Sequence, residues 1–188
     1  MSEAIEELFL FGEEKMEKAI NQMKREFASV RTGRANPAVL DKVLVEYYGV
    51  PTQLRQMSQV TVSEGTTLVI IPFDKTIMKD IEKALIKAEL GVAPNNDGAC
   101  IRLNFPPLTE ERRRETAKEV KKLGEDAKIA IRNVRRDMVD DLKKIEKDEN
   151  LPEDTVKGNQ EDIQKLTDKF VGLIDNLVVE KEKEVMTV

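Results

Sequence analysis

No histidine occurs anywhere in the 188 residues. That removes the side chain most often used as a general base, the Ser-His and Cys-His nucleophile pairs, and the commonest metal ligand. Tryptophan is also missing, and aromatics make up only 4% of the chain. Cys100 is the single cysteine, so no intrachain disulfide can form. No apolar run approaches the ~18 residues a membrane span needs. The start, Met1-Ser2-Glu3-Ala4-Ile5-Glu6-Glu7, is acidic where a signal peptide is basic. There is no Walker loop, dinucleotide fingerprint or zinc spacing. These absences predict a cytoplasmic protein away from membranes, with no catalytic residue, no metal and no cofactor.

What is present is charge. Charged residues make up 36% of the chain, well above the usual quarter, and the net charge is −5. Such a surplus fits long exposed helices. Met16, Ile20, Met23, Phe27 and Val30 recur at three-four spacing and predict a helix over residues 2–31. Gly12 and the cluster Leu8-Phe9-Leu10-Phe11 blur its first turns, as a frayed start, a plug for the end of a bundle or a binding patch. From Val39 to Phe105 the period changes. Val43–Tyr48, Val60–Val62, Thr67–Ile71 and Cys100–Leu103 read as strands, with turns at Gly49 and Pro51, at Glu64-Gly65 and at Asn95–Gly98. Lys75–Leu90 reads as a helix stopped by Gly91. Cys100 reads as a small core residue.

Thr109 is a good helix N-cap, and Glu110 and Glu111 suit the positive end that follows. The next helix is expected to run to about Glu149, a rod ~60 Å long at 1.5 Å per residue. Its seam is expected at Val120, Leu123, Ala127, Ala130, Val134, Met138, Leu142 and Ile145. After the break at Asn150-Leu151-Pro152, a third helix carries Ile163, Leu166, Phe170, Leu173, Leu177 and Val178. The predicted fold class is α+β with two domains. Residues 1–31 and 106–188 form a long antiparallel three-helix bundle, and a small β/α/β domain, 32–105, is inserted into it. Two segments cross between them, 32–37 and 104–107, and these are expected to act as a hinge. Gly33, Pro37, Pro106 and Pro107 restrict their backbones, with Arg34, Asn36 and Asn104 alongside.

The charges are unevenly placed. From Thr109 to Arg136 ten basic residues face six acidic ones; from Asp137 to Glu149 three face six, and from 150 to 188 five face nine. Arg114, Lys118, Lys121, Lys128, Arg132 and Arg135 fall on one stripe, expected about opposite the apolar seam. Arg132, Arg135 and Arg136 crowd one and a half turns. Such a stripe is either a solvated face or a surface that tracks phosphates, since arginine's planar fork bonds phosphate bidentately.

Six motifs are spread in order along the chain: Arg31-Thr-Gly-Arg-Ala-Asn-Pro37, Val45-Glu-Tyr-Tyr-Gly49, Leu54-Arg-Gln56, Pro107-Leu-Thr-Glu-Glu-Arg-Arg113, Arg132-Asn-Val-Arg-Arg-Asp137 and Gln164-Lys-Leu-Thr-Asp168. With them the chain resembles the ribosome recycling factors. The resemblance implies an L-shaped molecule of a three-helix bundle and a β/α/β domain. It implies a cytoplasmic translation factor, a monomer, that binds the large ribosomal subunit after termination. With elongation factor G and GTP, such a factor splits the ribosome. Contacts to 23S rRNA carried over by motif are Arg113, Arg132, Arg135 and Arg31; the basic stripe adds Lys121 and Lys128, and the arginine cluster adds Arg136. The first dozen residues depart from the family pattern, so no contact is carried over there. The competing reading is a coiled-coil adaptor or chaperone that binds protein without RNA.

Overall fold

A computed structural model describes residues 2–187. The chain divides into two compact units, residues 1–27 with 117–184, and residues 28–116 with 185–188.

The greater part of three long helices builds the first unit: α1 (Glu3–Ala28), α4 (Glu110–Glu149), whose first turns belong to the second unit, and α5 (Glu153–Met186), the last two numbered after the short helices of the second unit. Ser2 caps α1, with its backbone carbonyl 3.1 Å and its hydroxyl 3.4 Å from the Ile5 N–H. The helix is therefore regular from Glu3 and continues through Gly12; the expected blurring of its first turns is absent. Thr109 caps α4 through a 3.2 Å bond from the Arg112 N–H. Asn150, in the left-handed region at φ 50°, ends it. The Leu151 N–H then reaches back to the Glu146 carbonyl at 3.2 Å, a Schellman-type stop.

Cross-helix contacts fix the direction of each rod. Gly124 of α4 packs on Val178 of α5, and Arg135 of α4 bonds Gln164 of α5, so these two run antiparallel. In the α1–α5 groove, Glu17–Lys24 lie beside Lys169–Leu173, and Glu13 pairs with Lys169, so α1 and α5 run parallel. The bundle is up-down-up. Its core holds Ile5, Met16, Ile20 and Met23 from α1, Val120, Ile131, Met138 and Leu142 from α4, and Ile163, Phe170 and Ile174 from α5. Two seam positions differ from the expected ones. Ile131 and Ile174 are fully buried, whereas Ala130 is half-buried and Leu173 is 43% exposed. A straight helix has 3.6 residues per turn, so a strict three-four count drifts off the true stripe over several turns.

The second unit holds β1 (Leu44–Tyr47), β2 (Val50–Gln53), α2 (Leu54–Met57), β3 (Ser58–Ser63), β4 (Thr67–Pro72), α3 (Met78–Lys87), β5 (Asn95–Asn96) and β6 (Ile101–Asn104). β1 and β2 form a hairpin whose tight turn is Tyr48-Gly49, both at positive φ (48° and 77°). Pro51, expected in the turn, lies within β2 opposite Glu46, which an edge strand tolerates. The second sheet is antiparallel throughout, in the order β3-β4-β6-β5. Asn95-Asn96, also expected to turn, pair with β6 instead. Leu68 and Ile70 of β4 and Ile101 and Leu103 of β6 share one buried cluster with Ile81 and Leu85 of α3. Cys100 is buried at the edge of this sheet, and its thiol donates to Asp97 at 3.4 Å.

Candidate nucleic-acid interface

The cations of α4 fall into two groups. One group is neutralised by direct carboxylate partners. Arg112 pairs with Glu115 at 2.9 Å and Arg114 with Glu110 at 2.7 Å, both within the helix. Lys128 pairs with Glu125 at 3.3 Å and with Asp175 of α5 at 2.5 Å. Its side chain is only 16% exposed. The hydrogen bond to Asp175 holds its ammonium above the ordinary lysine range, against the opposing pull of partial desolvation. Lys128 is thus a pin between two helices rather than an open charge.

The other group has no carboxylate partner among the described residues. Lys121, Arg132 and Arg136 are exposed and carry no hydrogen bond or ion pair there. Arg135 is exposed, and its Nη1 donates to the Gln164 side-chain carbonyl at 2.9 Å. Gln164 in turn donates from Nε2 to Asp168 at 2.8 Å. Arg132 and Arg136 are four residues apart and so neighbours on the helix surface. The structure therefore gathers Arg132, Arg135 and Arg136 into one open basic cluster. Arg113, in the first turns of α4, is half-buried and belongs to the second unit. The basic stripe does not lie opposite the seam. Lys128 and Arg135 both reach α5, so it follows the flank of α4 that adjoins that helix.

Arg31 is placed differently again. Its Nη2 donates to the Pro106 carbonyl at 2.8 Å, and its guanidinium carbon lies 5.9 Å from the Phe105 ring centre. Its Nε is buried without a hydrogen-bond partner. The Arg31 fork thus links the two segments expected to act as a hinge. Those segments are tied down unevenly. The Ala35 N–H bonds the Gly65 carbonyl at 2.8 Å, and the Phe105 N–H bonds the Thr66 carbonyl at 2.9 Å. Asn36 accepts from the Ala38 N–H at 3.0 Å and donates to the Ala28 carbonyl at 3.1 Å. Pro37 opens a 3-10 turn, and Asn104 pairs with Thr67 in the sheet. Gly33 stands at φ 81°, a conformation that disfavours any side chain. Arg34, Pro106 and Pro107 are exposed.

Three surface grooves of about 300 to 370 Å³ are lined by mixed apolar and charged side chains and include none of the open arginines. Among the described residues no group of three or more Cys, Asp or Glu could hold a metal ion. Among the described residues no helix is long and apolar enough to cross a membrane.

The family model described as ribosome recycling factor matches residues 23–186. The chain belongs to the ribosome recycling factor family. The ribosome-recycling factor of Bacillus licheniformis is 58% identical over 175 residues, covering 93% of this chain and 95% of that protein. The ribosome-recycling factor of Bacillus subtilis is 57% identical over 175 residues, with the same coverage of each chain. A solution structure of the ribosome recycling factor superposes with a TM-score of 0.81 at 39% identity, covering 100% of both chains. A second neighbour, the Thermus thermophilus ribosome recycling factor described together with Escherichia coli elongation factor G on the post-termination complex, gives 0.67 at 40% identity. It covers 97% of this chain and 99% of its own. In this recycling-factor chain the α+β class and the helical bundle expected from sequence are both present. The contacts of α4 with α5 were missed because they join residues tens of positions apart.

Proposed function

We propose that this chain is a translation factor that binds the large ribosomal subunit after termination and, together with elongation factor G and GTP, splits the ribosome for reuse. The observation that carries the reading is the open cluster Arg132, Arg135 and Arg136, in a family with a relative described on a post-termination complex. Charge left without a carboxylate is available to phosphate, and several such contacts acting together give strong, salt-sensitive binding to RNA. Arg132, Arg135, Arg136 and Lys121 are the primary contacts to 23S rRNA. Arg113 is a further contact, whereas Lys128 and Arg31 act mainly by holding structure together.

The protein acts in the cytoplasm as a monomer and performs no chemistry of its own. GTP hydrolysis belongs to elongation factor G. The bundle domain comprises residues 1–31 and 106–188, and the β/α/β domain comprises 32–105. The hinge between them is assigned to Gly33 and Arg34 on one segment and to Pro106 and Pro107 on the other, with the Pro106 carbonyl held by Arg31. Ala35, Asn36, Pro37 and Asn104 are already held by hydrogen bonds or regular structure.

Co-sedimentation with isolated 50S subunits at rising salt, followed by a splitting assay with elongation factor G and GTP, tests the proposal. Binding that falls steeply with salt, and splitting that needs both factors, are expected. Indifference to subunits at low salt would favour a protein-binding adaptor instead.

A further inference from the structure

We propose that Gln164, itself held by Asp168, is a positioning residue that presents Arg135 to an RNA phosphate without cancelling its charge. The inference rests on the RNA-binding reading above and concerns how that surface is built.

Arg135 of α4 and Gln164 of α5 are 29 residues apart in the chain and joined by a 2.9 Å hydrogen bond. A glutamine amide can be flipped, so its orientation needs a cause. Here the cause is Asp168, one turn further along α5. A carboxylate only accepts, so the 2.8 Å contact fixes Nε2 toward Asp168 and leaves Oε1 facing the guanidinium. The three groups form one directed chain from α5 to α4.

The kind of acceptor matters as much as its place. Arg112, Arg114 and Lys128 each rest directly on a carboxylate, which a phosphate would have to displace. Arg135 rests on a neutral carbonyl. That holds one N–H of its fork and leaves the positive charge and the remaining donors open. No carboxylate of the described residues lies within ion-pair distance of Arg135, because Asp168 stands one hydrogen bond further back. Guanidinium donates in a fixed fork, so orienting one nitrogen orients the others. A side chain already ordered before binding loses less conformational freedom on meeting its ligand. Neighbouring Arg132 has no such support among the described residues, so the cluster combines one oriented fork with others that nothing holds.

Binding of the full-length protein to isolated 50S subunits, measured across a salt series, tests the idea. The variants are Arg135→Ala, Gln164→Glu, Gln164→Met and each Gln164 change combined with Arg135→Ala. Arg135→Ala should weaken binding by about 10-fold and lower the salt slope by about one. Gln164→Glu should approach that loss and also lower the slope, because a carboxylate then neutralises Arg135. Gln164→Met, of similar length but unable to hydrogen-bond, should cost only about 3-fold and leave the slope unchanged, since the charge remains but its orientation is lost. In the Arg135→Ala background both Gln164 changes should be silent. If Arg135→Ala weakens binding while the Gln164 variants bind like the parent, the positioning role is wrong and the RNA reading stands. If the Gln164 effects persist undiminished without Arg135, Gln164 acts on its own and the proposal also fails. Normal binding by Arg135→Ala itself would overturn the underlying placement of the RNA surface.

Discussion

Lys128 on α4 and Asp175 on α5 meet at 2.5 Å and pin the two helices together. The charge is therefore committed within the protein, and its removal should be read in stability rather than in ribosome binding. Asp175 is 54% exposed, so the pair is screened by solvent, and a loss of about 0.5–1 kcal/mol is expected for Lys128→Met. The sign of the pH dependence follows from the raised lysine value. The contribution is fully present below the ordinary lysine range, about pH 10, and fades as pH climbs through the raised value of the folded state. Urea unfolding of the parent and the variant should differ by a constant amount from pH 7 to about 10 and converge above it. Large-subunit binding should change less than 2-fold, which is about 0.4 kcal/mol.

Arg132 provides the opposite case. It is exposed and has no partner among the described residues, so it contributes little to folding. Arg132→Ala should leave the melting temperature unchanged within about 1 °C and weaken subunit binding by about 1–3 kcal/mol, the range of a charge-assisted hydrogen bond. The salt slope should fall by about one phosphate contact. Equal subunit binding by parent and variant at both 50 and 200 mM salt (about a fourfold range) would leave the cluster a solvated face.

Two glycines inside the bundle call for different outcomes from the same substitution. A Cβ at Gly12 would overlap the sulfur and terminal methyl of Met138, and a Cβ at Gly124 would overlap a γ-methyl of Val178. Methionine has three rotatable bonds and can move aside; valine is stiff at χ1 and cannot. Alanine also gains about 0.8–1 kcal/mol over glycine within a helix. Gly12→Ala should therefore come out near neutral, and Gly124→Ala should destabilise by about 1–2 kcal/mol after that gain. Adding Val178→Ala to Gly124→Ala should recover much of the loss. Chemical denaturation of the four proteins checks this; equal cost at both glycines would mean that the flexibility of the neighbour does not decide the outcome.

How much of this could be read from sequence follows from the range of each interaction. Thr109 as the cap of α4 was legible, because a cap acts over a few residues; the stop of α3 expected at Gly91 falls earlier, at Ala88, with Glu89 taking the left-handed conformation at φ 50°. The bundle was legible from repeated spacing, yet Ile131 and Ile174 were passed over for Ala130 and Leu173 because an ideal count drifts from a real helix. Asn95-Asn96 read as a turn because asparagine favours turns, but pairing with Ile101 and Arg102 overrode that preference. For the site, the identity of the cations was visible and their pairing was not. Lys128 and Arg135 sit seven residues apart on one stripe and look equivalent. Asp175 closes off the first, whereas Gln164 leaves the second open, and both partners come from another helix.

Gly33 tests the proposed hinge. It stands at φ 81°, and a Cβ there would meet only ordinary contacts, 3.8 Å from the Leu108 nitrogen and 3.9 Å from its Cγ. Space is therefore available, and the penalty of a side chain is conformational. A residue other than glycine in this region costs about 1–2 kcal/mol, and asparagine tolerates it better than most. Gly33→Val should either keep the backbone under strain or relieve it by settling the segment into a different conformation. In either case the balance of hinge positions shifts, while the open arginines on α4 are untouched. Splitting with elongation factor G and GTP should fall by about 5–10-fold, equivalent to 1–1.4 kcal/mol at the barrier, with subunit affinity held within about 2-fold. Gly33→Asn should retain most of the splitting rate, because it can hold the same φ at lower cost. The comparison separates movement from attachment. If binding and splitting fall together in Gly33→Val, the segment acts through folding or docking. If neither changes, the backbone at Gly33 is not where the movement occurs, and the hinge must be sought at Pro106 and Pro107.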